Sequence, residues 1–414
     1  MKKTLRIPFW MRKIGLYLAV LGPGLITASA DNDAPGIATY SMAGSTYGYS
    51  FLWLIVVVTV GEVVIQEMAA RMGVVTGKGT ADLIRERFGV KVTTFAMFAL
   101  LLANLGTTVA QFAGVAAAGE LFGVSRYISV PITALFMSFL VLRGSYKHVE
   151  KVLLLLCLSA LSYVITVFLI KPDWGEILKA AVVPSFNIDS SYILAVLAVI
   201  GTTITPWGIF YMQASVADKG VELENYGLTK VDVTFGAGWG NIVSAFIIIS
   251  TAATLFTHGI RVESAENAAL ALQPLAGAGA SILFSIGLLG ASLLAVSVLP
   301  LSTTYAICEA FGFERGLNRS IKEAPIFYGL FAIIIGLSVV IVLLPNMPLF
   351  LIMWLSQSMN AILLPVLLIL VIRLANDRTI MGNWINKRFG NVLAISLTIL
   401  ISLITVGLLL SPIL

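Results

Sequence analysis

The chain has 414 residues, of which 58% are hydrophobic and 11% are charged, and its formal net charge is +5. Soluble domains carry about 25% charged residues, so this composition excludes an ordinary water-soluble protein of this length. Apolar segments recur from one end of the sequence to the other, and they predict an all-α polytopic membrane protein.

The first residues, MKKTLRIPFWMRK, are basic and precede the first apolar segment. No A-x-A-like cleavage site follows that segment, so we interpret these residues as a retained cytosolic segment and not as a signal peptide. Eleven segments approach the 20 apolar residues or so that a bilayer crossing needs. These predicted spans 1 to 11 are, in chain order, 14–46, 50–72, 92–118, 127–143, 152–170, 192–216, 231–257, 277–306, 324–345, 349–373 and 391–412.

Basic residues are distributed unequally between the two sides of the predicted membrane. With a cytosolic N-terminus, 22 of the 26 Lys and Arg residues fall on the cytosolic side. The other side holds only Arg126, Lys171, Lys179 and Arg261. Positive loops stay in the cytosol, so this distribution predicts a cytosolic N-terminus. The positive charge therefore follows from topology and gives no indication of a nucleic-acid partner.

Spans 1 and 6 are interrupted by polar residues with proline and glycine, as DNDAPGI and TTITPWGI. Proline removes a backbone donor, and irregular backbone at membrane depth is found only where it is buried or lines a wet cavity. Breaks in corresponding spans of two five-helix halves are typical of inverted-repeat transporters. The sequence predicts one transporter domain with repeats at about 14–170 and 192–373 and an extra helix at about 391–412.

Asp31 and Asp33 are the most informative residues of the first break. A carboxylate at the bilayer centre costs at least about 2.5 kcal/mol, and two neighbouring carboxylates also repel each other. A bound cation offsets both costs, so we predict that the break binds one. The alternative for either residue is a neutral carboxyl or a cap on the half-helix that follows.

The second break offers hard oxygen donors at Thr202, Thr203 and Thr205, which suit Mg²⁺, Ca²⁺ or Mn²⁺. The alternative for a membrane threonine is a hydrogen bond back to the preceding helical turn. His148 and His258 lie at span ends, which argues against zinc- or copper-type coordination. Cys157 and Cys308 are predicted to be small core residues.

Two glutamates lie in span 2. Glu67 is expected to pair with Arg71 one turn later, whereas Glu62 either pairs or lines the ion path. The GxxxG spacing at Gly236 and Gly240 predicts close helix packing. No Walker A sequence is present, and no histidine is placed beside a nucleophile, so the chain is predicted not to be an enzyme and to need no cofactor.

These segments resemble the Nramp family of divalent-metal transporters almost from end to end. GPGLITASADNDAPGIAT is similar to the family's first-span motif and IGTTITPWGIFYMQA to its sixth-span segment. AARMGVVTGKGTADL, VLRGSYKHVEKV, LSQSMNAILLP and NDRTIMGNW resemble four further family segments. The resemblance implies a LeuT-type 5+5 inverted repeat with broken helices 1 and 6.

The resemblance also implies a metal site. The family's metal-binding Asp falls on Asp33, its Asn partner on Gly36, its Met ligand on Thr205, and its carbonyl ligand in span 6 on Thr202. Asp31 stands where the family usually has an apolar or aromatic residue. Gln357 matches a glutamine near the metal, and it either contacts a coordinated water or forms a hydrogen bond between helices. A site without sulfur, with more acid and less bulk, favours a partly hydrated Mg²⁺ and resembles the Nramp-related magnesium transporters.

A second set of differences concerns the family's proton path. Its acid pair in span 3 falls on Thr108 and Gln111, and its span-6 histidines fall on Trp207 and Met212. None of these side chains takes up or releases a proton near neutral pH, so metal uptake without proton coupling is predicted. Trp207 either takes part in gating or only fills space between helices.

The sequence therefore predicts a secondary transporter of a bacterial cytoplasmic membrane that imports Mg²⁺, and also Mn²⁺, by alternating access. The ion is substrate, the bilayer is the other partner, and no obligate protein partner is evident. One alternative is a proton-coupled Mn²⁺/Fe²⁺ symporter. Another is a Na⁺-coupled organic-solute carrier of the same fold, which the adjacent carboxylates of Asp31 and Asp33 disfavour.

Overall fold

The computed structural model describes residues 22–143, 145–187, 189–262, 267–269, 272, 277–345 and 349–410, without the side chains of 349–359, 361 and 407–410. Within these ranges the chain is helical, and none of the described residues lies in a β-strand. The helices are α1 (Pro23–Ala30), α2 (Ala34–Tyr47), α3 (Leu52–Thr76), α4 (Thr80–Leu121), α5 (Arg126–Arg143), α6 (Tyr146–Leu156), α7 (Leu161–Ile170), α8 (Trp174–Val182), α9 (Ser190–Thr203), α10 (Pro206–Asp218), α11 (Tyr226–Thr254), α12 (Ala278–Phe311), α13 (Pro325–Leu343), α14 (Leu349–Ala375), α15 (Arg378–Met381) and α16 (Arg388–Leu410).

In the part of the chain that the structure describes, each of the eleven predicted spans corresponds to helical structure. In the described part of the chain, nine helical stretches are long and apolar enough to cross a bilayer. One of them, Ala34–Thr76, combines the second half of span 1 with span 2, and the apolar stretch Ile362–Ala375 belongs to span 10. The prediction of an all-α polytopic membrane protein is confirmed.

Spans 1 and 6 are both broken, as the sequence predicts. Span 1 is divided into α1 and α2, and span 6 into α9 and α10. Span 3 is the membrane part of α4, which departs from helical geometry at Gly89, where φ is 78°. A positive φ is readily adopted only by glycine, so Gly89 separates the short helical segment before it from the span.

Glycines bring the first broken span close to α11. A Cβ at Gly24 would lie 2.6 Å from the Asp232 carbonyl oxygen, and one at Gly240 would lie 2.6 Å from the Ala28 carbonyl oxygen. A Cβ at Gly236 would meet the Gly24 backbone. The GxxxG spacing therefore does serve close packing, because small residues let two helix backbones approach.

The outer surface is apolar. Leu135, Leu403 and Phe95 expose 72%, 67% and 66% of their surface, respectively. Large exposed apolar surfaces mark contact with lipid or another apolar partner. The polar residues of both breaks face inward and are buried. Cys157 and Cys308 are free and buried, as predicted.

Candidate metal site

The first break is shaped by Asp33. Its backbone is extended (φ −74°, ψ 177°), and its side chain caps α2 by accepting a hydrogen bond from the Gly36 amide at 2.7 Å. Pro35, in the first turn of α2, has no amide hydrogen to leave unpaired there. The local sequence Asp-Ala-Pro-Gly therefore restarts the helix as it ends the break.

The second break repeats this arrangement with a hydroxyl in place of the carboxylate. Thr205 is extended (φ −96°, ψ 141°), and its Oγ1 accepts from the Gly208 amide at 3.3 Å at the start of α10. Pro206 is the first helical residue. Both helices thus begin with a polar cap, a proline in the first turn and a glycine three residues after the cap, which agrees with an inverted repeat.

Both prolines also free a backbone carbonyl. Asp31 lies four residues before Pro35, and Thr202 lies four residues before Pro206. Because proline has no amide hydrogen, the carbonyl oxygens of Asp31 and Thr202 lack their usual i→i−4 helical partner. These two oxygens remain available as hard ligands at corresponding positions of the two breaks.

The two breaks contact each other at the residues that the sequence indicates as candidate metal ligands. Thr205 Oγ1 donates to Asp31 Oδ1 at 2.7 Å. At Gly36, a Cβ would lie 2.7 Å from the Asp31 carbonyl oxygen, 3.0 Å from Asp33 Oδ1 and 3.1 Å from Thr202 Oγ1. The structure therefore brings Asp31, Asp33, Gly36, Thr202 and Thr205 into one buried cluster, and none of the four polar side chains is more than 4% exposed.

The donor atoms of this cluster are oxygens. No group of three or more His, Cys, Asp or Glu side chains with metal-binding geometry occurs among the residues the structure describes. The cluster instead combines two carboxylates with threonine hydroxyls and freed carbonyls. Such a set suits Mg²⁺, Mn²⁺ or Ca²⁺ better than a soft metal, and bound water would complete the coordination of Mg²⁺.

Gln111 has a role that the sequence did not reveal. Its Nε2 donates to Asp33 Oδ2 at 2.7 Å, and its Oε1 accepts from the Ala34 amide at 3.0 Å. The side chain therefore fixes the Asp33 carboxylate and the start of α2 together. Its position opposite the break could be read only from the family resemblance, because the two residues are 78 positions apart.

Asn32 was also missed. Its Nδ2 donates to the Gly240 carbonyl oxygen at 2.9 Å, and its Oδ1 accepts from Ser244 Oγ at 2.8 Å. The side chain thus fastens the first break to α11. A polar residue between two aspartates was a visible signal, but its partners lie more than 200 residues away.

The other threonines of interest bond locally. Thr203 Oγ1 donates back to the Val199 carbonyl oxygen at 2.7 Å and lies 2.9 Å from the Tyr40 hydroxyl. Thr108 Oγ1 donates back to the Asn104 carbonyl oxygen at 2.7 Å. Thr203 is therefore not aimed at the cluster, in contrast to Thr202 and Thr205.

The remaining predicted residues have separate environments. Glu67 pairs with Arg71 at 3.2 Å, as expected. Glu62 is 1% exposed and contacts Asn241 rather than a basic residue. Trp207 and Met212 are buried among apolar side chains. The side chain of Gln357 lies outside the described residues.

The comparisons with known proteins agree with this geometry. The family described as Natural resistance-associated macrophage protein-like (Nramp) matches residues 24–411. The divalent metal cation transporter MntH of Erwinia tasmaniensis is 33% identical over 285 residues, covering 66% of this chain and 68% of that protein. MntH of Pectobacterium carotovorum subsp. carotovorum is 27% identical over 394 residues, covering 91% and 92%.

Solved structures share the fold. A crystal structure of the Eremococcus coleocola manganese transporter, bound to an aromatic bis-isothiourea compound, has a TM-score of 0.79 at 21% identity and covers 97% of this chain and 88% of that one. Mhp1, a nucleobase-cation-symport-1 family transporter, has a TM-score of 0.56 at 16% identity over 85% of this chain and 77% of that one. The predicted LeuT-type inverted repeat is confirmed, and the protein is a multi-pass protein of the cell membrane. With nearly its whole length matched and both helix breaks in place, the chain belongs to the Nramp family.

Proposed function

We propose that this protein imports divalent metal cations by alternating access, with Mg²⁺ as its main substrate and Mn²⁺ also accepted. The observation that carries the proposal is the buried cluster of oxygen donors where the two broken helices meet. Asp33 is the primary ligand, and the Thr202 carbonyl and Thr205 form the opposite wall. Asp31 adds negative charge and accepts the Thr205 hydrogen bond at 2.7 Å.

Family membership supports divalent-metal transport, because the MntH relatives are divalent metal cation transporters by name. Mg²⁺ preference is supported by donor chemistry. Thr205 supplies a hard oxygen where the family resemblance expects the sulfur of a methionine, and soft sulfur is the donor that favours transition metals. Mg²⁺ sheds its water reluctantly and is usually held by a few carboxylates with several waters retained.

Space for those waters does not come from Gly36 alone. The volume beside this glycine is filled by the Asp31 carbonyl and the Thr202 hydroxyl, which lie 2.7 and 3.1 Å from the position of a Cβ. Room for water beside Gly36 therefore requires the two breaks to move apart from the arrangement described here. The preference for Mg²⁺ rests on hard donors more than on the room left by a missing side chain.

Uptake without protons is supported by the side chains around Asp33. The Gln111 amide donates a hydrogen bond to the Asp33 carboxylate. The side chains of Thr108, Trp207 and Met212 do not titrate near neutral pH. The membrane potential is sufficient as a driving force. Each charge gains about 2.3 kcal/mol per 100 mV, so a dication gains about 4.6 kcal/mol, or roughly a thousandfold accumulation.

Transport into liposomes tests the proposal. The purified protein is reconstituted with an internal Mg²⁺ indicator and a pH dye, and both signals are read under a negative-inside potential. We expect Mg²⁺ entry without acidification. Entry of Mn²⁺ alone, accompanied by acidification, would identify a proton-coupled Mn²⁺ symporter and refute both the Mg²⁺ preference and the absence of coupling.

A further inference from the structure

A second group of buried polar side chains lies beside the Asp33 cluster. Asp31, Glu62, Gln66 and Asn241 are each at most 4% exposed. Each of the four is among the described residues that have a buried side-chain atom without a hydrogen-bond partner: Asp31 Oδ2, Glu62 Oε1, Asn241 Oδ1 and both amide atoms of Gln66. Buried polar groups are nearly always paired, so each exception calls for an occupant.

The four side chains surround one region. Glu62 and Gln66 are one turn apart on the same face of α3. Asn241, on α11, donates its Nδ2 to Glu62 Oε2 at 2.5 Å. A Cβ at Gly208 would lie 3.1 Å from Gln66 Nε2 and 2.8 Å from Thr205 Oγ1, the atom that donates to Asp31. The region is therefore bordered by the first break, α3, α10 and α11.

Charge in this region is uncompensated. Asp31 and Glu62 each bring a buried carboxyl group to this region. Among the described residues, no Lys or Arg forms an ion pair with either of them. Buried carboxylates are costly unless they are paired or coordinate a metal. The free atoms of this region are mostly oxygens, which are the ligands that hard divalent cations prefer.

The Asp33 carboxylate makes its hydrogen bonds outside this region. The Asp33 oxygens accept from Gly36 on α2 and from Gln111 on α4. Asp31 Oδ1 instead accepts from Thr205 Oγ1, at the start of α10. The two aspartates of the break, two positions apart, thus have different hydrogen-bond partners.

We propose that Asp31 and Glu62, together with the side-chain oxygens of Gln66 and Asn241, form a second divalent-cation position beside the one at Asp33. This inference rests on the proposed function, because the cation is taken to be of the class that the protein transports. Two carboxylates balance one dication, and Asp31 lies next to both positions. An ion leaving Asp33 therefore has a prepared neighbouring position.

Counting bound Mn²⁺ tests this inference. The purified full-length chain in detergent is titrated with Mn²⁺, and the free ion is measured by its electron paramagnetic resonance signal. We expect two ions per wild-type chain and one in Glu62→Gln. We expect one in Asp33→Ala, where only the Asp31–Glu62 position remains. Glu67→Gln is the matched control, since it makes the same change on the same helix at a residue paired with Arg71, and it should retain two.

The outcomes separate this inference from the proposed function. One ion in the wild type, lost in Asp33→Ala and unaffected by Glu62→Gln, overturns the second position while leaving the Asp33 site in place. Equal binding in the wild type and in Asp33→Ala overturns the Asp33 site. If Glu62→Gln does not fold, Gln66→Leu replaces it, and we expect the weaker of the two dissociation constants to rise about tenfold or more. An unchanged constant in Gln66→Leu counts against the second position.

Discussion

Asp33 combines a structural task with a chemical one. One carboxylate oxygen caps α2, and the other accepts the Gln111 amide. A capping bond contributes about 1 kcal/mol to helix stability, whereas the negative charge is what attracts a cation. The two tasks can be separated by substitution, since asparagine keeps a capping oxygen and loses the charge.

We predict that Asp33→Ala and Asp33→Asn both reduce Mg²⁺ transport to background, because both remove the charge of the primary ligand. Asp33→Ala should in addition destabilise the protein by about 1 kcal/mol through the lost cap. Liposome influx and thermal unfolding of the purified variants measure the two effects. Substantial residual Mg²⁺ flux in folded Asp33→Ala would show that another residue is the primary ligand.

The residues expected to set ion selectivity are Gly36 and Thr205. Restoring the family's donors as Thr205→Met with Gly36→Asn adds an amide oxygen and a soft sulfur, and the sulfur favours Mn²⁺ over Mg²⁺. We expect the Mn²⁺/Mg²⁺ uptake ratio to rise about tenfold, equivalent to about 1.4 kcal/mol. Competition of the two ions for uptake measures the ratio. An unchanged ratio in a folded double variant would mean that these positions do not determine selectivity.

At the scale of the helix, the start of α1 is held by one carboxylate. Asp232 on α11 accepts hydrogen bonds from the amides of Gly22 at 3.1 Å, Gly24 at 2.7 Å and Leu25 at 3.3 Å. These are the amides that a helix N-terminus leaves without internal partners, and a negative charge there also complements the helix dipole. Asp232 therefore fastens the half-helix that precedes the first break.

We predict that Asp232→Ala loosens α1 and opens the site toward the cytosol. Ser29, which is 5% exposed on α1, can report this as Ser29→Cys, because the two native cysteines are buried. In inverted membrane vesicles, maleimide labelling of this cysteine should be about tenfold faster with Asp232→Ala, equivalent to about 1.4 kcal/mol. The control is Glu222→Ala, at an exposed residue in the connection before α11, and it should leave the labelling rate unchanged. Equal rates with and without Asp232 would contradict its role as a clamp.

At the scale of the whole molecule, the distribution of basic residues makes a topological prediction. Glu224 lies in the connection before α11 and Glu176 lies on α8, and both are exposed. We expect an impermeant thiol reagent added to intact cells to label Glu176→Cys and to leave Glu224→Cys unlabelled until the cells are opened. The reverse pattern would place the N-terminus outside and contradict the positive-inside assignment.

The fold was largely predictable because membrane insertion imposes a local signal. Apolar length located the spans, and proline with glycine located the breaks at Asp33 and Thr205, since both signals are written in neighbouring residues. Contacts between distant helices were not predictable in this way. The bonds of Gln111 to Asp33 and of Asn241 to Glu62 join residues 78 and 179 positions apart, and no local pattern specifies such a partner.

The close contact between Gly36 and the Asp31 carbonyl oxygen also limits how the ion selectivity of such a protein can evolve. Any side chain at this position meets the Asp31 carbonyl oxygen, at 2.7 Å from the position of its Cβ. A single mutation at position 36 is therefore harmful until the neighbouring backbone has shifted. Position 205 already carries a side chain within the cluster, so a change of donor atom there requires no new Cβ. The glycine therefore makes position 36 harder to change than position 205, and the donor atom at 205 is the more accessible point for a change of selectivity.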